Sequence, residues 1–537
     1  MALRLAPSGV MARPLVNAPL EILQQIVLSV SFSPGPPIEF LNVLLTCKAL
    51  KDTLLQSTPQ FFTLLFGSKF DFDALTRRLG HDRQVIAANS HHELCRRLTI
   101  LKAIRHKKDL AGEALDEALW MVYLMSLENA GKNAAQLLWA EVPDFLKGRL
   151  KEMRNASNTI NGWPIQSKTS SLVVAAMWYL TSKSSVQKEQ PHERAEILDI
   201  LRPIVLAAFR YSSFYAPETI RDTIPLFQVT AENTQRNPRT PAFPFVCRVV
   251  LFGSVECTCL PPPTAIYATL NYFVRSEQPL QIPPHLPETR ADADAANILG
   301  PTREDVISFN LNCTTICHLT DSVFTYSPTF RHDGDWMSAR NQKASYKLGL
   351  ISGCWRGSQL IPDVDQYALW LSSLQMPSPF PDTGRQPLSF TLQEHFNVGT
   401  VPIPSPAGDD DDSAWLPIGL EWEPVDDGIR VFDPDKGTVT TYQTFHKELD
   451  GPLLGTVTDL IITGKPDREF AAAWGDITLV GRVRLSDGLV VLYGHSAFGQ
   501  YLYRGYVISG SNFVGRARGA SHVQPAPLEM PFSLSKA

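Results

Sequence analysis

The sequence has few cysteines, no excess of positive charge and no long hydrophobic run. Eight cysteines in 537 residues are too sparse for a disulfide scaffold, so an intracellular location, cytoplasmic or nuclear, is expected. The 49 basic and 54 acidic residues give a net charge of −5, which provides no global attraction for nucleic acid. The longest apolar run, Leu172 to Leu180, is far shorter than the roughly 20 residues of a membrane-spanning helix. Neither a nucleic-acid partner nor a membrane partner is therefore predicted.

Short motifs that usually carry catalytic chemistry are also missing. The sequence contains no glycine-rich dinucleotide loop and no Walker-type loop, so no nucleotide phosphate cradle is predicted. The segment Gly494 to Gly499 resembles a nucleophile elbow, but Phe498 stands where that motif requires glycine. The cysteines at 257–259 and 313–317 lack the two-residue gap of zinc knuckles. We therefore predict a protein that is not an enzyme and that holds neither a metal nor a cofactor.

The length and the changing hydrophobic period predict a multidomain α+β protein. Apolar spacings of three and four residues predict helices up to about Arg221, whereas a period of two from Val457 to Arg518 predicts strands. Proline-rich and polar segments separate these regions. The predicted order is a three-helix segment at 15–57, an α-helical block at 58–225, an irregular, linker-rich region at 226–344, an antiparallel β domain at 345–520 and a loose tail at 521–537.

The most apolar part of the sequence lies near its beginning. Of the 38 residues from Ala18 to Leu55, 20 are apolar and five are charged. Three short helices are predicted there, with prolines at 19 and 37 at the starts of the first two. So small a cluster cannot bury all of its apolar surface internally. The surplus either packs on the helical block that follows or forms an exposed patch for a partner.

The same segment resembles an F-box, whose pattern begins Leu-Pro-x-Glu-Ile/Leu and ends in a hydrophobic run into Val-Cys-Arg/Lys. The opening is matched by Pro19, Glu21, Ile22 and Leu23, with Ala18 in place of the usual leucine, and the closing half by Leu41, Leu44, Leu45, Cys47, Lys48 and Leu50, with Thr46 in place of valine. The resemblance implies docking onto a Skp-type adaptor, which connects an F-box protein to a cullin-RING ubiquitin ligase. The residues expected at that interface are Pro19, Ile22, Leu23, Ile26, Leu41, Leu44 and Leu45.

A β-hairpin is predicted between Asp476 and Tyr493, because Asp487-Gly488 is a strong turn signal between alternating strands. The buried face is predicted to carry Ile477, Leu479, Val483 and Leu485 on the first strand and Leu489, Val491 and Tyr493 on the returning strand. A third strand is expected from Tyr501 to Ile508.

Gly353-Cys354-Trp355 opens a further strand, and Arg516 and Arg518 close the last one that the sequence predicts. In a closed antiparallel barrel a tryptophan near the first strand can plug the floor while a cation from the final strand lies over its ring, worth roughly 0.5–2 kcal/mol. This spacing resembles calycin-type barrels such as lipocalins. The resemblance implies a C-terminal β-barrel in which Gly353, Trp355, Arg516 and Arg518 are structural residues, and an ordinary buried tryptophan is the alternative.

The C-terminal region also resembles a domain that follows the F-box in many basidiomycete fungal proteins. The matching segments are Ile351–Gly357, Gln393–His395, Thr458–Asp467, Trp474–Leu492 and Tyr503–Arg518, with Lys465 in place of the usual glutamate and Ala517 in place of an expected tryptophan. This resemblance implies little about chemistry.

Two functions are compatible with these features. The first is a non-catalytic substrate receptor of an SCF-type ubiquitin ligase, which binds the adaptor through its N-terminal helices and an unknown target protein through its C-terminal region. The second is a barrel that senses a small apolar ligand.

Overall fold

The structure is a computed structural model that describes most, but not all, of the chain. The described residues are 18–55, 59–73, 83–207, 247–251, 255–259, 261–276, 280–312, 346–378, 380, 383–398, 416, 420–433, 437–446, 457–485, 488–497, 499–519 and 528–537. They fall into two compact units. The first comprises Met1–Phe145 with Val249–Cys257, and the second comprises Leu146–Arg248 with Thr258–Ala537.

The described residues of the first unit up to Phe145 are mainly helical. Its helices are α1 (Leu20–Val30), α2 (Ile38–Thr46), α3 (Lys48–Leu55), α4 (Pro59–Lys69), α5 (Arg83–Arg105), α6 (Gly112–Leu127) and α7 (Lys132–Trp139), and α8 (Val142–Glu152) continues into the second unit. The phenylalanines of α4 supply much of the core. The Asp71 carboxylate accepts hydrogen bonds from the amides of Ala130 and Asn133, which satisfies free N–H groups at the start of α7.

The helices of the second unit begin with α9 (Lys168–Tyr179), α10 (Lys183–Lys188) and α11 (Pro191–Leu206). They continue with α12 (Thr264–Ser276), α13 (Arg290–Ala295), α14 (Arg303–Asn312), α15 (Val364–Ser372) and α16 (Arg468–Trp474). The predicted irregular region at 226–344 is thus partly wrong, because α12 to α14 lie within it. Among the described helices, none is long and apolar enough to cross a membrane.

A closed, eight-stranded antiparallel barrel forms the C-terminal part, which confirms the predicted barrel. Its strands are β5 (Gly353–Ile361), β6 (Gly384–Val398), β10 (Val457–Lys465), β11 (Ile477–Val483), β12 (Val490–Ser496), β13 (Gly499–Ile508), β14 (Asn512–Gly519) and β15 (Glu529–Lys536). Each strand pairs with the next in this order, and β15 pairs with β5 to close the ring. Two short hairpins lie outside it: β1 (Thr159–Ile160) with β2 (Trp163–Pro164), and β3 (Cys247–Leu251) with β4 (Val255–Cys259).

The last strand corrects the sequence prediction of a loose tail at 521–537. Residues 529–536 form β15, and Phe532 and Leu534 point into the barrel core. In the register, Leu534 lies opposite Gly357 and Lys536 lies opposite Trp355. The alternation in Met-Pro-Phe-Ser-Leu-Ser is a strand pattern, but it is short and contains a proline.

Three further strands extend the sheet from β6. They are β7 (Glu421–Val425), β8 (Gly428–Asp433) and β9 (Thr438–Thr444), inserted between β6 and β10. Their inner face forms a small second core in which Val431 and Tyr442 pack with Ile461 of β10, and Val480 and Tyr493 contact this core. We call β7–β9 the flap.

Several aromatic rings lie in the described interior of the barrel, together with aliphatic side chains. Ring centroids of Tyr503 lie 5.6 Å from Phe390 and 5.7 Å from Phe532, and Phe532 in turn lies 5.0 Å from Phe513. The ring of Phe513 is 6.1 Å from that of Trp355. A chain of rings therefore runs through the core.

The two strands of the hairpin predicted between Asp476 and Tyr493 pair as β11 and β12, and residues 486 and 487 of the predicted turn lie outside the described residues. The face predicted for the returning strand is wrong. Val483 lies opposite Val490, so Val490 and Leu492 join the barrel core. Tyr493, predicted to be on that face, packs instead under the flap. The error arose because a shift of one residue moves a side chain to the opposite face of a sheet.

Candidate interaction surface

Helix α1 has one buried and one exposed apolar face. Leu23 and Val27, which are four residues apart, point into the first unit. Ile22, Ile26 and Val30 have the same spacing but remain exposed, Ile22 at 52%. Because both faces are apolar, part of the hydrophobic surface of the helix remains exposed.

Helix α2 is divided in the same way. Phe40 is buried, and its ring lies 5.9 Å from that of Phe61 on α4. Ile38, Leu41 and Leu45 are exposed, Leu45 at 82%. We call the six exposed side chains Ile22, Ile26, Val30, Ile38, Leu41 and Leu45 the α1–α2 apolar surface.

The seven residues predicted to bind a partner differ in exposure. Pro19, Ile22, Ile26, Leu41 and Leu45 are exposed, and Leu44 is half-buried. Leu23 is only 2% exposed, so it supports the surface from below and cannot contact a partner in this conformation. Sequence reasoning missed Val30 and Ile38, although both continue the same helical spacing.

Trp355 is fully buried in the barrel core, and a cation lies over its ring, but the cation is not one of the predicted arginines. Lys536 of β15 places Nζ 5.4 Å from the centroid of the Trp355 ring. The same Nζ donates to the carbonyls of Gly349 and Leu350, and Trp355 Nε1 donates to the Ile351 carbonyl at 2.6 Å. Lys536 therefore provides the cation over the Trp355 ring that the sequence analysis predicted to come from Arg516 or Arg518.

Arg516 lies on the outer side of the barrel wall. Its guanidinium pairs with Glu529 at 3.2 Å and donates to the Val205 carbonyl near the end of α11. A cation is favourable there because the last carbonyls of a helix carry partial negative charge. Arg518 lies opposite Leu502 and Glu529 in the register.

The structural role predicted for Gly353 agrees with its φ of +131°, and a Cβ there would lie 3.0 Å from Lys536 Cε.

Glu394 anchors the segment that leads into β5. Its carboxylate accepts hydrogen bonds from the amides of Gly349 and Ile351 and from the Tyr346 hydroxyl. Burial raises the pKa of Glu394, and these hydrogen bonds partly oppose that shift. Burial also raises the pKa of Tyr346, so its phenol remains a donor. The Gln393–His395 motif therefore contains a residue that fixes the segment before β5, a role that the sequence does not predict.

His395, next in the motif, points to the opposite side of the wall, towards the flap. Its Nδ1 lies 3.0 Å from Thr444 Oγ1 on β9, and its Nε2 lies 2.8 Å from Thr463 Oγ1 on β10. Burial, followed by the charge of His446, lowers the pKa of His395 to about 4. Asp459 pairs nearby with Arg482 at 2.8 Å and accepts from the Tyr442 hydroxyl. These polar groups join the flap to the barrel, and no catalytic arrangement is apparent among them.

Within the described parts of the chain, no three His, Cys, Asp or Glu side chains are grouped closely enough to hold a metal ion. The cysteines at 313 and 317 lie outside the described residues.

Comparisons with known proteins give no match. No protein-family model, no curated protein and no solved structure is significantly similar to this chain.

Proposed function

We propose that this protein is the substrate-receptor subunit of an SCF-type cullin-RING ubiquitin ligase. The α1–α2 apolar surface binds a Skp-type adaptor, and the second unit recruits a target protein. The chain performs no bond chemistry itself. It acts by raising the effective concentration of a target lysine near a charged conjugating enzyme.

The observation that carries the proposal is the exposure of apolar side chains at F-box-like positions. Five of the seven residues that the resemblance assigns to the adaptor are exposed, and Leu45 is exposed at 82%. Full burial of one such side chain contributes roughly 1.5–3 kcal/mol. Leaving several of them adjacent in water is unfavourable, and a contiguous exposed apolar patch is typical of a protein-interaction site.

The chemistry of the surface supports a protein partner with an apolar groove. The exposed residues follow each other along two helices, Ile22 and Ile26 on α1 and Leu41 and Leu45 on α2. Apolar side chains at this spacing are the anchors by which helices bind hydrophobic grooves. The F-box-like sequence favours a Skp-type adaptor as the partner of this surface. Self-association of two copies of this chain is the alternative that the test distinguishes.

The small-ligand sensor is less well supported. Such a site needs an apolar cavity of several hundred Å³. The described interior is occupied by packed rings, among them Phe390, Tyr503 and Phe532. The likeness of the barrel to calycins, and of the F-box-like segment and the C-terminal region to basidiomycete F-box proteins, remains part of the proposal.

The test is binding of the full chain to a purified Skp-type adaptor. Leu45→Asp is expected to lower the affinity by about 30-fold or more, because a hot-spot residue contributes about 2 kcal/mol or more. Leu299→Asp is the matched control, since Leu299 is 95% exposed on the second unit.

The proposal predicts wild-type affinity for the control. It is overturned if the wild-type chain does not bind the adaptor, or if Leu45→Asp binds as tightly as wild type. A wild-type chain that only self-associates through this surface, with Leu45→Asp monomeric, also overturns it.

A further inference from the structure

The loop between α1 and α2, Ser31–Pro37, is fixed to α7 at a position where only glycine fits. Gly35 has φ +90°, and a Cβ built on it would lie 2.5 Å from Cε2 of Trp139. Real Cβ atoms do not approach a ring so closely, and positive φ is unfavourable for other residues. The ring of Trp139 is itself held by Arg105, whose guanidinium lies 4.8 Å from the ring centroid.

Polar contacts also fix the same loop to α7 and to α4. The Gly35 amide donates to Gln136 Oε1 at 2.7 Å, and Gln136 Nε2 donates to the Lys69 carbonyl at 3.2 Å. Lys69 Nζ in turn donates to the Ser33 carbonyl at 2.7 Å. We call Gly35, Lys69, Gln136 and Trp139 the loop clamp.

Lys69 is only 1% exposed, which is unusual for a lysine. Burial lowers the pKa of Lys69, and the charge of Glu39 partly opposes the shift. A buried ammonium group persists only when hydrogen bonds and nearby charge compensate for the loss of water. Its contact with the loop is therefore integral to the fold of this unit.

The loop is the connection between the two helices that carry the α1–α2 apolar surface. Its position, together with the contact of Phe40 on Phe61, sets where α2 lies relative to α1. Exposed residues on two helices can fit one groove only if the helices are held at a fixed separation and angle.

We propose that the loop clamp pre-organises the adaptor-binding surface, so that Gly35, Lys69, Gln136 and Trp139 are positioning residues for adaptor binding although they lie outside the F-box-like contact residues. The surface is therefore not complete within residues 15–57, because α4 and α7 provide its support. This inference rests on the proposed function, and it specifies how that binding site is built.

The first test compares Gly35→Ala with Gly112→Ala in the full chain. Both glycines belong to the first unit and have positive φ, but a Cβ at Gly112 meets nothing within 4 Å. Gly35→Ala is expected to weaken adaptor binding by about 10-fold or more, whereas Gly112→Ala is expected to bind as wild type.

Hydrogen exchange provides a readout that does not depend on the adaptor. Gly35→Ala is expected to speed exchange of the amides in 31–37 and in α2, because the clash of its Cβ with Trp139 displaces the loop and weakens the amide bond to Gln136. If Gly35→Ala does not fold, Lys69→Met replaces it, since methionine keeps the apolar chain and removes the donor to Ser33.

The outcomes separate the two proposals. Faster exchange together with unchanged adaptor affinity overturns the clamp as a positioning device and leaves adaptor binding intact. Unchanged exchange in both Gly35→Ala and Lys69→Met overturns the clamp itself. Failure of the wild-type chain to bind the adaptor overturns the proposed function and with it the positioning role, while the exchange measurement still tests whether the clamp orders the loop.

Discussion

Two short helices, α1 and α12, differ in burial, and the more apolar helix is the less buried of the two. Helix α1 is the more apolar, yet only Leu23 and Val27 are buried. Helix α12 contains threonines, tyrosines, an asparagine and an arginine, yet every residue from Thr264 to Arg275 is buried. Hydrophobicity alone therefore does not decide which helix lies in the core.

The difference is explained by how the polar groups of α12 are paired. The Thr264 hydroxyl lies 2.6 Å from that of Ser171, and the Tyr267 hydroxyl lies 2.9 Å from that of Tyr179. Asn271 Nδ2 donates to the Val174 carbonyl at 3.0 Å. A buried polar group is tolerated when it has a partner. An apolar group on α1, by contrast, gains nothing until a partner covers it.

The largest expected effect comes from unpairing a buried charge beside α12. Arg275 Nη2 lies 2.8 Å from Glu189 Oε1, and both side chains are buried. Glu189→Leu should reduce the free energy of unfolding by about 3–5 kcal/mol, because the guanidinium is left without its carboxylate. Thermal unfolding of the full chain measures this.

The matched control for that change is the exposed pair Arg430–Glu423, with an N···O distance of 2.7 Å. Glu423→Leu should change stability by less than about 1 kcal/mol, because solvent screens surface ion pairs. Equal losses in the two variants would contradict the explanation given for α12.

An intermediate effect is expected from His395, a paired polar group under the flap. Its pKa of about 4 lies below the 6.5 of an unfolded histidine, so the unfolded state binds more protons between these values. The free energy of unfolding should therefore be lower at pH 5 than at pH 7, by about 2 kcal/mol. His395→Gln removes this contribution, so the melting temperature of the variant should drop less between pH 7 and pH 5. An identical drop in the two proteins would refute the assignment.

The smallest effect is expected on the exposed surface. Leu45→Ala should alter the free energy of unfolding by no more than about 0.5 kcal/mol, whereas Leu23→Ala on the buried face should cost about 2–5 kcal/mol. Thermal melts of both variants compare the two faces directly. A large loss for Leu45→Ala would show that this side chain belongs to the core, and the contrast with α12 would no longer hold.

The sequence predicted the barrel well because its signals are local. The Asp487-Gly488 turn, the Gly353-Cys354-Trp355 start and alternation along β11 identify strands without knowledge of distant partners. The prediction of an arginine over Trp355 is wrong because the strand that closes the barrel is β15, in a segment for which the sequence predicts a loose tail. Which cation reaches the ring depends on which strand closes the sheet, and that is a long-range property.

The candidate surface was predictable only in part. Helical spacing and the F-box-like residues indicated α1 and α2, but spacing could not show which apolar face was buried. Leu23 and Ile22 are equally hydrophobic neighbours, and only the packing of Phe40 on Phe61 and the rest of the first unit distinguishes them. The loop clamp was not predicted, since Gly35 and Gln136 are 101 positions apart.

Closure of the barrel by β15 has a consequence for synthesis of the chain. Lys536 and the Gly349 carbonyl that it binds are separated by 187 positions, so β5 leaves the ribosome long before its second neighbour exists. Until then one edge of β5 lacks its partner strand, and such an edge is prone to wrong pairing. Folding of the second unit must therefore follow synthesis of β15. Before that point the unpaired edge of β5 leaves the new chain prone to aggregation.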